Sequence, residues 1–400
     1  MKVVHISLCS YPYITSWGYQ ENYLIDAHHR KGHEVVEISS SYIPPIYQEH
    51  LIKDDTFDKA ESYDAKGTKI IRLKYKFRLP FCLNHHIRWY KGLYESLMRE
   101  RPDVIFVHDL QFMSVFDVKK YANKHPECIL KADTHASELN SANNWISKIF
   151  LHRLFYKWLI KSNCKAFQTI YYISGFEELF MKKYYNVSAA NTNFQLLPLG
   201  GLILSENEAS AIRNKIRLRH DLKENDVLLL HSGKLEKSKR THEIIEAFKE
   251  VQGENLYLYL IGSIPVSQKE VIEKDINGDK RIKFLGWKSA DELREYLYAA
   301  DIYVQFGSPS STLETAMCCG CPCILNFNEN IPGGGYIKLV DKKTAYPVET
   351  VDDLLTAIKK LSFDKKLRNE MKINSLKTAK EKFDYLNQVE KIIHDERKKA

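Results

Sequence analysis

The chain has 400 residues, 44% of them hydrophobic and 28% charged, with a formal net charge of +8. That length exceeds one ordinary hydrophobic core and suits two domains of soluble, globular composition. No apolar run approaches the ~20 residues that span a bilayer, and the N-terminal Met-Lys-Val-Val-His-Ile-Ser-Leu-Cys is too short for a signal peptide, so the chain is read as cytoplasmic.

In chain order, short apolar runs rich in β-branched or aromatic residues occupy 3–9, 34–39, 69–73, 103–108, 128–133, 166–173 and 194–198. Helical patterns at 20–31, 89–100, 113–124, 145–161 and 175–184 separate most of them. Strands alternating with helices predict a parallel sheet covered on both faces. The pattern loosens at Leu199-Gly200-Gly201. A second series then begins, with strands at 227–232, 256–262, 282–285, 301–306 and 322–325 and helices at 241–252, 267–276, 290–299 and 311–319. From Val351 onward the chain is almost wholly helix-forming. The expected fold is α/β, two doubly wound parallel-sheet, Rossmann-like domains facing across a cleft, over 1–200 and 201–375. C-terminal helices over 376–400 are expected to pack back on the first domain.

The first loop, Ser10–Asn22, holds Gly18, which lets backbone approach a ligand closely. It lacks the Gly-x-Gly-x-x-Gly fingerprint, so no dinucleotide cofactor is expected. Seven Lys or Arg and no acid fall between Lys69 and Lys91, and five with no acid between Trp145 and Phe176. Both stretches are aromatic-rich. That mixture fits an anionic membrane surface or nucleic acid, or else a solvated face over core aromatics. No nucleic-acid module is recognisable, so a peripheral membrane surface is the expected partner. The helix at about Lys148–Lys161 carries the pattern most clearly.

His108-Asp109-Leu110 and Asp133-Thr134-His135 both follow apolar strands, which places them at one sheet edge. His135 is the best candidate to meet a reacting group, having a pKa near neutrality, with Asp109, Asp133 and Glu138 as companions at that edge. Asp-x-Asp is absent throughout, and no metal is expected. In the second half a strand ends at Gly233, followed by Lys234, Lys237, Lys239 and Arg240 before a helix. Two ammonium groups there can neutralise a diphosphate.

Residues 307–326 are the most informative stretch. A small-residue turn containing Ser308, Ser310, Ser311 and Thr312 feeds a short helix whose amides and dipole suit a phosphate. Glu314, one turn in, can accept hydrogen bonds from a ribose. Ser311 and Glu314 also have the spacing of a capping box, a purely structural use of the same residues. Cys318, Cys319, Cys321 and Cys323 lack the spacing of zinc knuckles and read as buried thiols.

Three of these segments resemble glycosyltransferase family 4, retaining enzymes of the GT-B fold that use nucleotide-sugar donors. They are Gly233-Lys234-Leu235 to Lys239 with Glu246-Ala247-Phe248; Phe284-Leu285-Gly286 with Glu292-Leu293 and Ala300-Asp301; and Leu313-Glu314-Thr315-Ala316-Met317 with Gly320-Cys321-Pro322. His108-Asp109-Leu110 and Asp133-Thr134-His135 are similar to a subset of that family. The resemblance implies that Lys234 and Lys239 hold a donor diphosphate, Glu314 the ribose, and Gly18 a loop that approaches the phosphates. It implies that His135 lines the acceptor side of the reacting sugar. One departure is marked: where the family usually carries a second glutamate, eight residues before Glu314, this chain has Phe306. The expected function is retaining transfer of a sugar from an NDP-sugar to a glycan or lipid-linked glycan acceptor in cell-surface polysaccharide synthesis. The alternative is a weakly active or inactive nucleotide-sugar or glycan-binding protein of the same fold.

Overall fold

The computed structural model describes residues 1–9, 12–15, 17–43, 56–138, 140–308, 310–327, 340 and 343–395. Residues 10, 11 and 16 of the first loop and Pro309 of the serine-rich turn lie outside them. The chain forms two compact units, Met1–Pro198 together with the segment from Tyr385 on, and Leu199–Asp384.

In the first unit, β1 (Lys2–Ser7), β2 (Glu34–Ser40), β3 (Glu61–Tyr63), β4 (Lys69–Leu73), β5 (Val104–His108), β6 (Ile129–Thr134), β7 (Thr169–Tyr172) and β8 (Phe194–Leu196) make one sheet. Its order is β3-β4-β2-β1-β5-β6-β7-β8, parallel except for β3 against β4. Helices cover both faces, so interior strands are buried along their length, as all of β5 and β6 is. The edge strand β3, Glu-Ser-Tyr, carries no such signal and is absent from the sequence expectation.

The helix Tyr385–Ile393 belongs to this unit. Tyr385 stacks on Tyr23 of the helix Gln20–Arg30, and Lys31 pairs with Glu390 at 2.8 Å. From β6, the fully buried Lys131 donates to the Lys391 carbonyl at 2.6 Å, setting a cation at the helix's negative end.

In the second unit, β9 (Val227–Lys234), β10 (Leu256–Ser263), β11 (Ile282–Phe284), β12 (Ile302–Gln305), β13 (Cys323–Asn326) and β14 (Ala345–Val348) form an all-parallel sheet in the order β11-β10-β9-β12-β13-β14. β14 is also absent from the sequence expectation, because Pro347 argues against a strand and is tolerated only at an edge. All four clustered cysteines are buried, reduced and near the β13 end of this core.

Strand order reverses between β1 and β5 in one unit and between β9 and β12 in the other. Open parallel sheets bind ligands outside the carboxyl ends of the strands at such switch points. His108 ends β5, Lys234 ends β9 and Gln305 ends β12, so each unit gathers its polar residues there.

β9 and β10 run closest at their C-terminal ends. A Cβ on Gly262, whose φ is +144°, would lie 1.7 Å from the Gly233 carbonyl oxygen. Gly262→Ala is therefore expected to cost about 2 kcal/mol or more, read as a lower midpoint in urea unfolding.

Candidate active site

The second unit brings most of its predicted residues together. Gly233 sits at φ +138°, and a Cβ there would meet Lys239 Cε at 3.5 Å and Ser310 Oγ at 3.9 Å. Those are ordinary contacts, so it is the positive φ that favours glycine there, with Lys239 and the serine turn both lying over the end of β9. A Cβ on Gly307 would strike the Ser238 carbonyl oxygen at 2.2 Å. With that contact open, Ser308 N–H donates to the Ser238 carbonyl at 2.8 Å and Lys239 Nζ donates to the Ser308 carbonyl at 3.0 Å. Gln305 Nε2 donates to the same carbonyl at 3.3 Å.

Lys239 is buried, and desolvation holds its ammonium pKa below the usual lysine value. Lys234, at the strand end, is exposed. His231 behind them is a core residue: its ring bonds the Val304 carbonyl at 2.9 Å and Thr241 Oγ1 at 3.1 Å, and burial lowers its pKa to about 4.

The serine turn differs from the capping expectation. Ser311 is exposed, helical in φ and ψ, and makes no side-chain cap to the helix Thr312–Cys318. Ser310 takes that place: its Oγ accepts from Thr312 N–H at 3.4 Å and lies 3.1 Å from Thr312 Oγ1. Three other helices of this unit do carry full capping boxes, Ser205 with Glu208, Ser289 with Glu292 and Thr350 with Asp353. Glu314 plays no such part and is buried one turn into its helix.

Phe306 is fully buried, and the Arg240 guanidinium lies 3.9 Å from its ring centroid while Arg240 Nε donates to Glu243. A cation on an aromatic face thus stands where the resemblance leads one to expect a carboxylate.

The first unit gathers a different set. Asp109, at φ +66°, follows β5 and donates its N–H to Asp133 Oδ1 at 3.2 Å. Asp109 Oδ1 accepts from Thr134 Oγ1 at 3.2 Å and from the His135 N–H at 3.4 Å. A left-handed, non-glycine residue held this tightly is the kind of strain found at functional sites. Asp133 Oδ2 lies 3.1 Å from His108 Nδ1 and 3.3 Å from His135 Nε2. Burial alone raises a carboxyl pKa, but the two imidazoles outweigh it and hold Asp133 well below the usual range. For His135, burial works against the charged form and Asp133 outweighs it, raising the pKa to about 10. His108, Asp133 and His135 also place one ligand atom each within 4.8 Å of one another, a spacing that admits a cation.

Glu138 does not join this group. Its Oε1 accepts from Lys183 Nζ and from Tyr184 Oη, both at 2.8 Å, at the surface. Gly18 is exposed just before the helix Gln20–Arg30. Trp287, 69% exposed, is not a core residue. Sequence reasoning missed His5, whose Nδ1 lies 3.0 Å from His108 Nε2. The available signal was an imidazole in the middle of an otherwise apolar central strand.

Residues 212–378 match the family model described as Glycosyl transferases group 1. No curated protein matches. Over 98% of both chains, the structure is similar to Anabaena HepE in complex with UDP and glucose (14% identity, TM-score 0.58). It is also similar to the sucrose-phosphate synthase of Thermosynechococcus elongatus (16% identity, 98% of both chains, TM-score 0.63). A third similar structure is WaaG, a glycosyltransferase involved in lipopolysaccharide biosynthesis (15% identity, 98% of this chain and 99% of that one, TM-score 0.55). The chain has the two parallel-sheet α/β units of these GT-B structures, and the group 1 match falls within its second unit.

The Asp133–His135 pair generates a stability prediction. His135 binds its proton more tightly folded than unfolded, so its contribution is complete below its ordinary value of 6.5 and is lost as pH rises through about 10. The melting-temperature gap between the wild type and His135→Gln is expected to hold up to about pH 6.5 and shrink from there to about pH 10.

Proposed function

We propose that this chain is a retaining glycosyltransferase that moves a sugar from an NDP-sugar to a glycan or lipid-linked glycan acceptor in cell-surface polysaccharide synthesis. The observation that carries the reading is the buried Lys239, laid over Gly233 and bonded to the Ser308 carbonyl inside the segment that matches the group 1 family. HepE, similar in fold, has been solved with UDP and glucose, which supports a nucleotide-sugar donor.

In this reading Lys239 and Lys234, with the serine turn at 308 and 310–312, hold the diphosphate, and Glu314 holds the ribose. The acceptor hydroxyl attacks the anomeric carbon on the face the leaving group occupies. As the new C–O bond forms, the bond to the diphosphate breaks, and the hydroxyl proton passes to the departing phosphate oxygen. Lys239 stabilises charge that grows on that oxygen, so it acts more strongly on the transition state than on the bound donor. His135 and Asp109 line the acceptor side, and no metal takes part.

Among the described residues no helix is long and apolar enough to cross a membrane. The helical run through Ser147–Tyr156 and Lys157–Asn163 instead buries His152, Tyr156, Leu159 and Ile160 and exposes Trp145, Ile146, Phe150, Leu154 and Trp158 beside Lys148 and Arg153. Large apolar side chains interleaved with cations and no acid fit reversible docking on an anionic bilayer, where a lipid-linked acceptor resides.

Lys239→Ala is expected to lower turnover about a hundredfold, and unchanged kinetics would reject its role. Among UDP, GDP, ADP and TDP at millimolar concentration, one is expected to raise the melting temperature. At ~100 times its dissociation constant the gain is about 2.7 kcal/mol, and Glu314→Ala should abolish it. Binding without transfer or donor hydrolysis would favour the inactive, binding-protein alternative. Activity should survive EDTA; its loss would instead assign a cation to His108, Asp133 and His135. The protein should co-sediment with anionic vesicles at low salt, and Leu154→Ser with Trp158→Ser should abolish that.

A further inference from the structure

Behind His135 the imidazoles continue into the core. His108 bridges Asp133 on one side and His5 on the other, with the His5 and His108 rings stacked at 5.3 Å between centroids. His28, from the helix Gln20–Arg30, meets His5 edge-to-face at 5.2 Å. His5 and His28 are fully buried and His108 nearly so, while the His135 side chain is 26% exposed. The line therefore runs from the centre of the first unit to a single half-open ring at the switch point.

Hydrogen placement follows from the partners. A carboxylate only accepts, so His108 Nδ1 carries the hydrogen that faces Asp133. Burial keeps His5 neutral, with a pKa well below the usual imidazole value, so one of its ring nitrogens is an acceptor. His5 Nδ1 and His108 Nε2 share one hydrogen at 3.0 Å, and the tautomer sets which of the two donates. The other His5 nitrogen, Nε2, has no hydrogen-bond partner among the described residues. Unpaired buried polar groups lower stability, so packing does not account for His5.

We propose that His108, backed by His5, is a positioning residue of this active site: it pins the Asp133 carboxylate, which in turn holds the His135 ring as an imidazolium whose Nδ1–H is presented to the reacting sugar. The catalytic consequence rests on the glycosyltransferase reading above; the positioning itself does not. The charged groups facing His135 are Asp133 from β6, Asp109 after β5, Glu21 from the helix Gln20–Arg30 and Glu177 from the helix Gly175–Phe180. Asp133 Oδ2 is shared between the His108 and His135 rings. Removing His108 therefore leaves His135 charged but releases the carboxylate that aims it.

Histidine-selective NMR on the chelator-treated full chain, paired with kinetics, separates the roles. In the wild type the His135 ring is expected to titrate far above free imidazole, with a slowly exchanging Nε2–H resonance downfield. Asp133→Asn should lower that midpoint by about one unit or more. His108→Leu should keep the midpoint high, broaden the Nε2–H resonance, and lower kcat on the order of a hundredfold with KM unchanged. His108→Gln, which retains a donor toward Asp133, should recover most of that loss. An unchanged Nε2–H resonance in a folded His108→Leu, or an ordinary His135 midpoint in the wild type, overturns the proposal. If the wild type transfers no sugar while the NMR changes appear as described, the positioning stands and the glycosyltransferase reading is what has failed.

Discussion

The parallel hydrogen-bond ladder constrains everything else in this molecule. Parallel neighbours need long crossover connections, and here helices provide them, covering both faces of each sheet. Strand interiors are then apolar, and polar chemistry is driven to the strand ends. Where the order reverses, beside β1 and β9, two crossovers depart in opposite directions and leave the strand ends open. The Lys239 and serine-turn group and the His108–Asp133–His135 group sit at those two places.

The polar residues that do enter the sheets are accounted for individually. His231 uses both ring nitrogens on the Val304 carbonyl and Thr241, so it ties β9 to β12 and to the next helix. Lys131 reaches the end of the helix Tyr385–Ile393 and secures the last described helix on the first unit. His5 is different, because its Nε2 remains unpaired while Nδ1 meets His108. A fold that keeps such groups in its central strands gives up stability, and the line His5–His108–Asp133–His135 supplies a reason to keep them.

In the second unit the glycines are as informative as the charges. Gly262 and Gly307 stand where a single carbon would collide with neighbouring backbone, and Gly233 holds a positive φ at the end of β9. Together they let the 237–239 turn, the end of β10 and the serine turn approach one another over the end of β9. The buried ammonium of Lys239 stays beside a backbone carbonyl, a partly desolvated cation poised for an anion. Phe306 and Arg240 put a buried ring and its cation where the resemblance leads one to expect a carboxylate.

The sequence alone determined the alternation of strands and helices, because buried parallel strands must be continuously apolar and amphipathic helices must repeat with their own period. It also located Gly233, Lys239, Glu314 and the His108–Asp109 and Asp133–His135 pairs, since residues just past apolar strands fall at a sheet edge. It did not determine the edge strands β3 and β14, whose short Glu-Ser-Tyr and Pro-containing segments are strands only because a neighbour pairs with them. Only the tertiary structure decided that Ser310 rather than Ser311 engages Thr312, that Glu138 turns away to Lys183, and that Lys239 is buried while Lys234 is exposed. It also decided that a histidine at position 5 reaches one at 108, a contact made by strand order, which no local pattern encodes.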